Sequence, residues 1–237
     1  MAELQLRLRN TVELPDIIMI TEVKPKNARY KVTEGELKLG GYDIYSNLTL
    51  VNGRGIIIYV KVKLHVRETK VGSSYQESVW ITIGLQGGDE LLVGCIYRSP
   101  NSDKNNNECL RSSIKEAYNM NKSHILIVGD FNYPRIDWES WYTPGDDTSS
   151  DEYIFIETLR DTYLHQHVVS HTRGRGTDQP RLLDLVLTNE EGMVEKLKND
   201  APLGKSDHSL IEFNFIGRTE DNRRGEDSFT TRTTISK

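Results

Sequence analysis

The chain has 237 residues, 36% hydrophobic and 27% charged, enough to bury a sizeable core without staples. Two cysteines, Cys95 and Cys109, exclude a disulfide framework and fit a reducing compartment, and no run of about 18 apolar residues marks a membrane-spanning helix. A net charge of −5 counts against a protein that binds nucleic acid mainly by neutralising phosphates, yet a carboxylate-rich divalent-metal site produces the same balance. These features predict a soluble, intracellular protein.

Met1, Leu4, Leu8 and Val12 fall at helical spacing with charges between them, predicting a short amphipathic helix over 1–14 that Pro15 ends. The continuous run Ile17-Ile18-Met19-Ile20-Thr21 reads as a strand buried on both faces. After a polar stretch, Gly55 to Val60 reads as another strand. It continues through Val62, Leu64 and Val66 by alternation, with Lys61 and Lys63 on the other face. Ser78 to Ile83 and Leu91 to Tyr97 predict a hairpin about Gly87-Gly88-Asp89. Cys109, Leu110, Ile114, Ala117 and Tyr118 have helical spacing, His124 to Val128 is a short apolar strand, and Tyr153 to Leu164 is a second helical pattern. Leu182 to Thr188 and Ser209 to Phe215 complete the strands. From Arg218 the chain is polar with no apolar period, predicting one domain over 1–216 and a disordered tail or linker over 217–237. Strands with interspersed helices make this a layered α+β or α/β fold.

The informative residues are polar ones that end or interrupt apolar strands: Glu22, Tyr97-Arg98, Asp130-Phe131-Asn132, Asp184 and Asp207-His208. Taken singly, an acid that ends a strand is most often a turn former or a cap, and Tyr97 most often a packing residue. As a set they imply a polar site at one rim. Residues two apart in a strand face the same way, so Asp130 and Asn132 are expected to converge. Carboxylates at the ends of buried strands need partners or a cation, and oxygen donors favour Mg²⁺ or Mn²⁺. A neighbouring histidine adds a group that titrates near neutrality. Together these are the groups that metal-assisted phosphodiester hydrolysis uses.

The ordered set Leu14-Pro15-Asp16-Ile17-Ile18-Met19-Ile20-Thr21-Glu22, Gly53-Arg54-Gly55-Ile56-Ile57-Ile58-Tyr59-Val60, Cys95-Ile96-Tyr97-Arg98-Ser99-Pro100, Val128-Gly129-Asp130-Phe131-Asn132, Leu183-Asp184-Leu185-Val186-Leu187-Thr188 and Ser206-Asp207-His208 resembles the endonuclease/exonuclease/phosphatase superfamily. Within it, the match is to the DNA-nicking endonucleases of non-long-terminal-repeat retrotransposons. The resemblance implies an α+β fold, a two-layer β-sandwich flanked by helices in the DNase I-like four-layer α/β/β/α arrangement. It implies an enzyme that uses Mg²⁺ or Mn²⁺ to cut DNA by in-line attack of water, leaving a 3′-hydroxyl and a 5′-phosphate. Glu22 would hold the ion, with Asp207 beside the ion or the water. Asp130 and Asn132 would position or activate the water and contact the scissile phosphate. Tyr97 would donate to a phosphate oxygen, Asp184 would orient His208, and His208 would stabilise developing negative charge. Thr172 and Arg98 would contact substrate. The identity of the general base stays open. A reverse transcriptase after this domain and action in the nucleus are further implications.

One departure stands out. The family opens with a strand bearing an asparagine that contributes to the metal site, whereas this sequence opens inside the helix that follows, and Asn10 is misplaced to substitute. The expectation is a truncated gene product with the first strand missing, an unpaired slot in a sheet, and weak or absent activity. Three functions therefore compete: a DNA endonuclease, a phosphatase or other phosphodiesterase acting on small esters, lipid or RNA, and a non-catalytic binding protein derived from the fold.

Weaker signals remain. His165, His167 and His171 invite a zinc site, but no cysteine lies near to complete one and an edge strand explains them better. Lys61, Lys63, Arg67 and Lys70, or Arg173, Arg175 and Arg181, could track a DNA backbone or simply face solvent. Trp138 and Trp141 could stack on a base, with packing the favoured role.

Overall fold

The computed structural model describes residues 2–24, 31–49, 53–72, 74–145, 147–174, 179–217 and 228–235. In chain order the elements are α1 (Ala2–Arg9), β1 (Ile17–Thr21), β2 (Tyr42–Asn47), β3 (Ile56–Lys61), β4 (Val66–Glu68), β5 (Ser78–Gly84), β6 (Glu90–Tyr97), α2 (Lys104–Asn119), β7 (His124–Asp130), α3 (Asp151–Asp161), β8 (His165–Gln166), β9 (Asp184–Thr188), β10 (Val194–Asp200), β11 (Leu210–Ile216) and β12 (Ser228–Ile235). The strands form two six-stranded sheets among the described residues, in the orders β10-β11-β12-β1-β3-β2 and β4-β5-β6-β7-β9-β8.

The central strands are apolar at consecutive positions because both of their faces are covered. In β1, Ile17 and Met19 join the core between the sheets, where Ile58 and Phe213 meet Val93, Cys95, Val128 and Val186. Ile18 and Ile20 face the other way and pack with Ile57 and Tyr59 under Leu4 and Leu8 of α1. On the second sheet, Leu92, Ile96, Ile125, Ile127 and Leu185 pack under Leu110 and Ile114 of α2 and Phe155 and Leu159 of α3. The result is the expected four layers, helix, sheet, sheet, helix. The helices α2 and α3 have side-chain caps: Asp103 accepts from the Asn106 N–H ahead of α2, and Ser150 from the Tyr153 N–H ahead of α3.

Three expectations about the chain path are corrected. The helix predicted over 1–14 stops at Arg9, and Val12 is fully exposed. The strand expected to run from Gly55 through Val66 breaks after Lys61. Val62 is exposed, and the chain crosses so that β4 joins the other sheet. Within the predicted polar tail, Ser228–Ile235 is a strand. It pairs parallel with β1, Ile17 opposite Thr231 through Thr21 opposite Ile235, and antiparallel with β11. Backbone pairing needs no apolar period, and a threonine-rich run is β-branched, which suits an extended strand. The slot expected to be unpaired lies between β1 and β11, and β12 fills it. The pairing gap is therefore closed, while the other ground for expecting weak activity, the asparagine that the first strand would bring to the metal site, is untouched by this pairing.

Candidate active site

Strand register assembles the site. β6 and β7 run parallel with Tyr97 opposite Asp130, and β7 and β9 run antiparallel with Asp130 opposite Asp184. Tyr97, Asp130 and Asp184 thus form one row across three adjacent strands at the rim where β6 and β7 end. The first sheet presents Glu22 at the same rim, directly after β1, and His208 two residues before β11. Two hydrogen bonds cross between the sheets. The Tyr97 hydroxyl donates to Glu22 Oε1 at 2.6 Å, and His208 Nδ1 lies 2.9 Å from Asp184 Oδ2. Asp130 stands between these links.

The backbone at the rim is shaped for this purpose. Gly129 has φ +154, and a Cβ there would stand 1.8 Å from the Ile96 carbonyl oxygen, so only glycine lets β7 lie against β6 just before Asp130. Glu22 itself adopts φ 54, a costly conformation for a residue with a side chain, held by the Val23 and Lys24 N–H groups on the Gly55 and Arg54 carbonyls.

Electrostatically the site is short of positive charge. Glu22, Asp130 and Asp184 are 5%, 2% and 0% exposed, and the nearest counter-charges are the His208 imidazole and Arg54, whose fork sits 3.5 Å from both Glu22 oxygens. Burial, then the Asp184 charge, pushes the Asp130 carboxyl well above the usual carboxylate range. Burial also raises Asp184, offset in part by its bond to His208. For His208, burial alone would lower the pKa, but the bond to Asp184 and the charges of Asp184, Asp130 and Asp207 outweigh it and the net shift is upward. Burial and the bond to Glu22 drive Tyr97 upward, so it stays a neutral donor. Oxygen donors from Asp130 and Asp184 and a His208 nitrogen lie within 4.8 Å of one another. Three buried carboxylates against so little positive charge, with oxygen donors predominating, fit a divalent cation such as Mg²⁺ or Mn²⁺.

Several residues picked from the sequence take other roles. Arg98, expected to contact substrate, is buried. Its Nε donates to Asn107 and its Nη1 to the Phe131 and Asn132 carbonyls, with the guanidinium 4.0 Å from the Tyr133 ring centre. It braces the Asp130 loop from behind, because a buried guanidinium must spend its donors on the groups around it. Thr172, also expected to contact substrate, is fully buried, and its Oγ1 accepts the Leu183 and Asp184 N–H groups at 3.1 Å. Asp207, expected beside the metal or the water, receives Arg173 Nε at 2.9 Å and, like Glu22, is not in the group formed by Asp130, Asp184 and His208. Asn132 does not share a strand face with Asp130. The strand has ended, Asn132 has φ 48, its N–H donates to Asp130 Oδ1, and its side-chain amide donates to the Arg98 carbonyl.

The weaker signals sort similarly. His165 and His171 are exposed and His167 bonds Thr188 Oγ1 at 2.6 Å, and no metal-capable group among the described residues includes them. Lys61 and Lys63 pair with Asp16, at the end of β3 opposite the site, and Arg67 pairs with Glu90. Arg173 does reach the rim, bridged to both Arg181 and His208, while Arg175 lies outside the described residues. Trp138 is buried and packs edge-on to Phe155. Sequence reasoning placed Arg54 in a strand motif without a role. The only signal for it was a cation between two glycines just before the strand that pairs with β1.

A doubly layered sandwich with a carboxylate, imidazole and phenol rim is the architecture of the endonuclease/exonuclease/phosphatase proteins. The chain belongs to that superfamily, within the family described as endonuclease–reverse transcriptase, whose sequence profile matches residues 91–212. Its fold is similar to the endonuclease domain of TRAS1, a telomere-specific non-LTR retrotransposon (19% identity, 90% of this chain and 91% of that one, TM-score 0.64). It is also similar to the 3′ phosphatase NExo from Neisseria bound to product DNA hairpin (16% identity, 90% and 93%, 0.62). A third likeness is to the catalytic domain of Xenopus laevis APE2 (14% identity, 99% and 88%, 0.61). No match is found among curated proteins.

Proposed function

We propose that this domain is a divalent-metal-dependent DNA endonuclease that nicks target DNA for retrotransposition. One observation carries the reading: the Tyr97, Asp130, Asp184 row is joined to Glu22 and His208 across the two sheets, the ordered pairing of acids, phenol and imidazole that in-line attack on a phosphodiester needs. Glu22 and Asp130 would hold the cation, which when bound supplies positive charge to the phosphate and lowers the pKa of a water. Tyr97 fixes the Glu22 carboxylate by donating to it. Asp130, in the loop braced by Arg98, would position the attacking water. Asp184 holds His208 by Nδ1, which leaves Nε2 to donate toward the phosphate oxygen that gains charge in the transition state. Cleavage leaves a 3′-hydroxyl and a 5′-phosphate. DNA as substrate draws support from the retrotransposon and DNA-bound neighbours, and nuclear action beside a reverse transcriptase follows from the same reading.

The test is nicking of supercoiled plasmid. Activity is expected with Mg²⁺ or Mn²⁺, abolished by EDTA and lost in Asp130→Ala and His208→Ala proteins that remain folded. Phosphate release from inositol phosphates without plasmid nicking would replace the endonuclease with a small-ester phosphatase. Folded protein with neither activity would leave a non-catalytic binding domain.

A further inference from the structure

Arg54 is held firmly at its base and loosely at its tip. The Lys24 N–H donates to the Arg54 carbonyl at 2.7 Å, the Val23 N–H donates to the Gly55 carbonyl at 3.2 Å, and Arg54 Nε donates to the Lys24 carbonyl at 3.2 Å. The two terminal nitrogens face Glu22 side-on, Nη1 to Oε1 and Nη2 to Oε2, but both distances are 3.5 Å. A charge-assisted pair closes to about 2.7–2.9 Å when nothing opposes it. The better bond to Glu22 Oε1 comes from Tyr97 at 2.6 Å. The Arg54 side chain is 19% exposed where Glu22 is 5% exposed, so the fork sits on the solvent side of the carboxylate. A second acid, Glu77, shares this corner and interacts electrostatically with both Arg54 and Glu22.

If Glu22 holds a dication, its charge would no longer need Arg54, since two cations on one carboxylate repel. The guanidinium is the partner able to move, because its two terminal nitrogens are at the edge of bonding distance and it is the more exposed of the two. Its planar fork matches two oxygens of a phosphate. We propose, on the reading that a phosphodiester is the substrate, that Arg54 is a substrate-binding residue that changes partners. Without the cation it neutralises Glu22, and with the cation it takes a phosphate of the nucleic-acid strand beside the scissile one. This makes phosphate binding conditional on a loaded site, so that the cluster of acids repels nucleic acid until the cation is present.

The experiment reads binding rather than turnover. Affinity for a fluorescent DNA duplex is measured against salt for the wild type and Arg54→Met, in Ca²⁺ and in EDTA. In Ca²⁺ the slope of log affinity against log salt should be shallower in Arg54→Met by about one, the value of a single lost phosphate contact. In EDTA the two slopes should agree. Arg54→Lys keeps the charge and should keep the Ca²⁺ slope while binding several-fold more weakly, since it cannot form the two-pronged contact. This second variant decides the matter if Arg54→Met does not fold. Equal slopes for wild type and Arg54→Met in Ca²⁺, or wild-type affinity in Arg54→Lys, would overturn the assignment while leaving the nuclease reading intact. A wild type whose DNA binding is indifferent to Ca²⁺, and which nicks no plasmid, would overturn both.

Discussion

His208 Nδ1 lies 2.9 Å from Oδ2 and 3.1 Å from Oδ1 of Asp184, and both side chains are almost completely buried. The pair joins the second sheet, which carries Asp184 at the start of β9, to the segment that enters β11 in the first. It therefore fixes the orientation of the imidazole and ties the two layers together at the rim.

Breaking that pair should be expensive. His208→Gln leaves a fully buried carboxylate without its main partner, and a loss of roughly 3 kcal/mol is expected. Asp184→Asn should cost a similar amount, and the double variant should cost less than the sum of the two. Chemical denaturation of the four proteins checks this, and strict additivity would show that the two groups are not coupled.

Arg98 should behave as a positioning residue. Arg98→Lys keeps the charge but cannot reach Asn107 and the Phe131 and Asn132 carbonyls together, nor lie flat over Tyr133. Stability should fall by about 2 kcal/mol, the scale of lost hydrogen bonds to a charged group. Plasmid nicking should fall in kcat more than in KM, because the Asp130 loop shifts while the surface that meets DNA does not. A change confined to KM would return Arg98 to the substrate-contact role first expected of it.

Gly129→Ala places a methyl group against the Ile96 carbonyl at the next-to-last rung of a parallel strand pair. Neither strand can yield without disturbing the Tyr97 and Asp130 row. We expect a loss above about 4 kcal/mol or failure to express in soluble form. Near-wild-type stability by thermal melting would mean that the β6 and β7 register is not as described.

His167 provides a pH test outside the group formed by Asp130, Asp184 and His208. Burial, then the nearby His165, lowers its pKa to about 4, below the ordinary histidine value of about 6.5. Between those two values the unfolded chain binds a proton that the folded chain does not, so stability rises with pH across the window. The melting temperature should therefore fall as pH drops from about 6.5 to about 4. Comparing His167→Gln with the wild type over that range isolates the effect, since the variant should show a weaker fall.

The strand β12 is open to a direct check. A strand paired on both sides uses its N–H groups in one ladder or the other, so Thr231→Pro or Thr233→Pro should destabilise the fold by about 3 kcal/mol. Amides of residues 228–235 should exchange with solvent as slowly as those of β1. Fast exchange there would detach the segment from the sheet.

The sequence alone determined the main strands and the chemical character of the site. Doubly buried strands such as Ile17–Thr21 and His124–Asp130 need consecutive apolar residues, and an acid at the end of such a run stands out because burial without a partner is costly. Glu22, Asp130 and Asp184 stood out in this way, and Tyr97 and His208 only as members of the ordered set. β2, β10 and β12 were not, because an edge strand or a threonine-rich one forms through backbone pairing and leaves no apolar period to read. Only tertiary structure decided which polar residues look outward. Arg98, Thr172 and Asp207 have the same residue types as substrate and metal contacts, but Arg98 and Thr172 spend their polar groups on neighbours elsewhere in the chain and Asp207 gives Oδ2 to Arg173. Arg54 acquired a role only when β3 was laid beside β1. A side chain's partners are set by which strands are adjacent and in what register, and local sequence encodes neither.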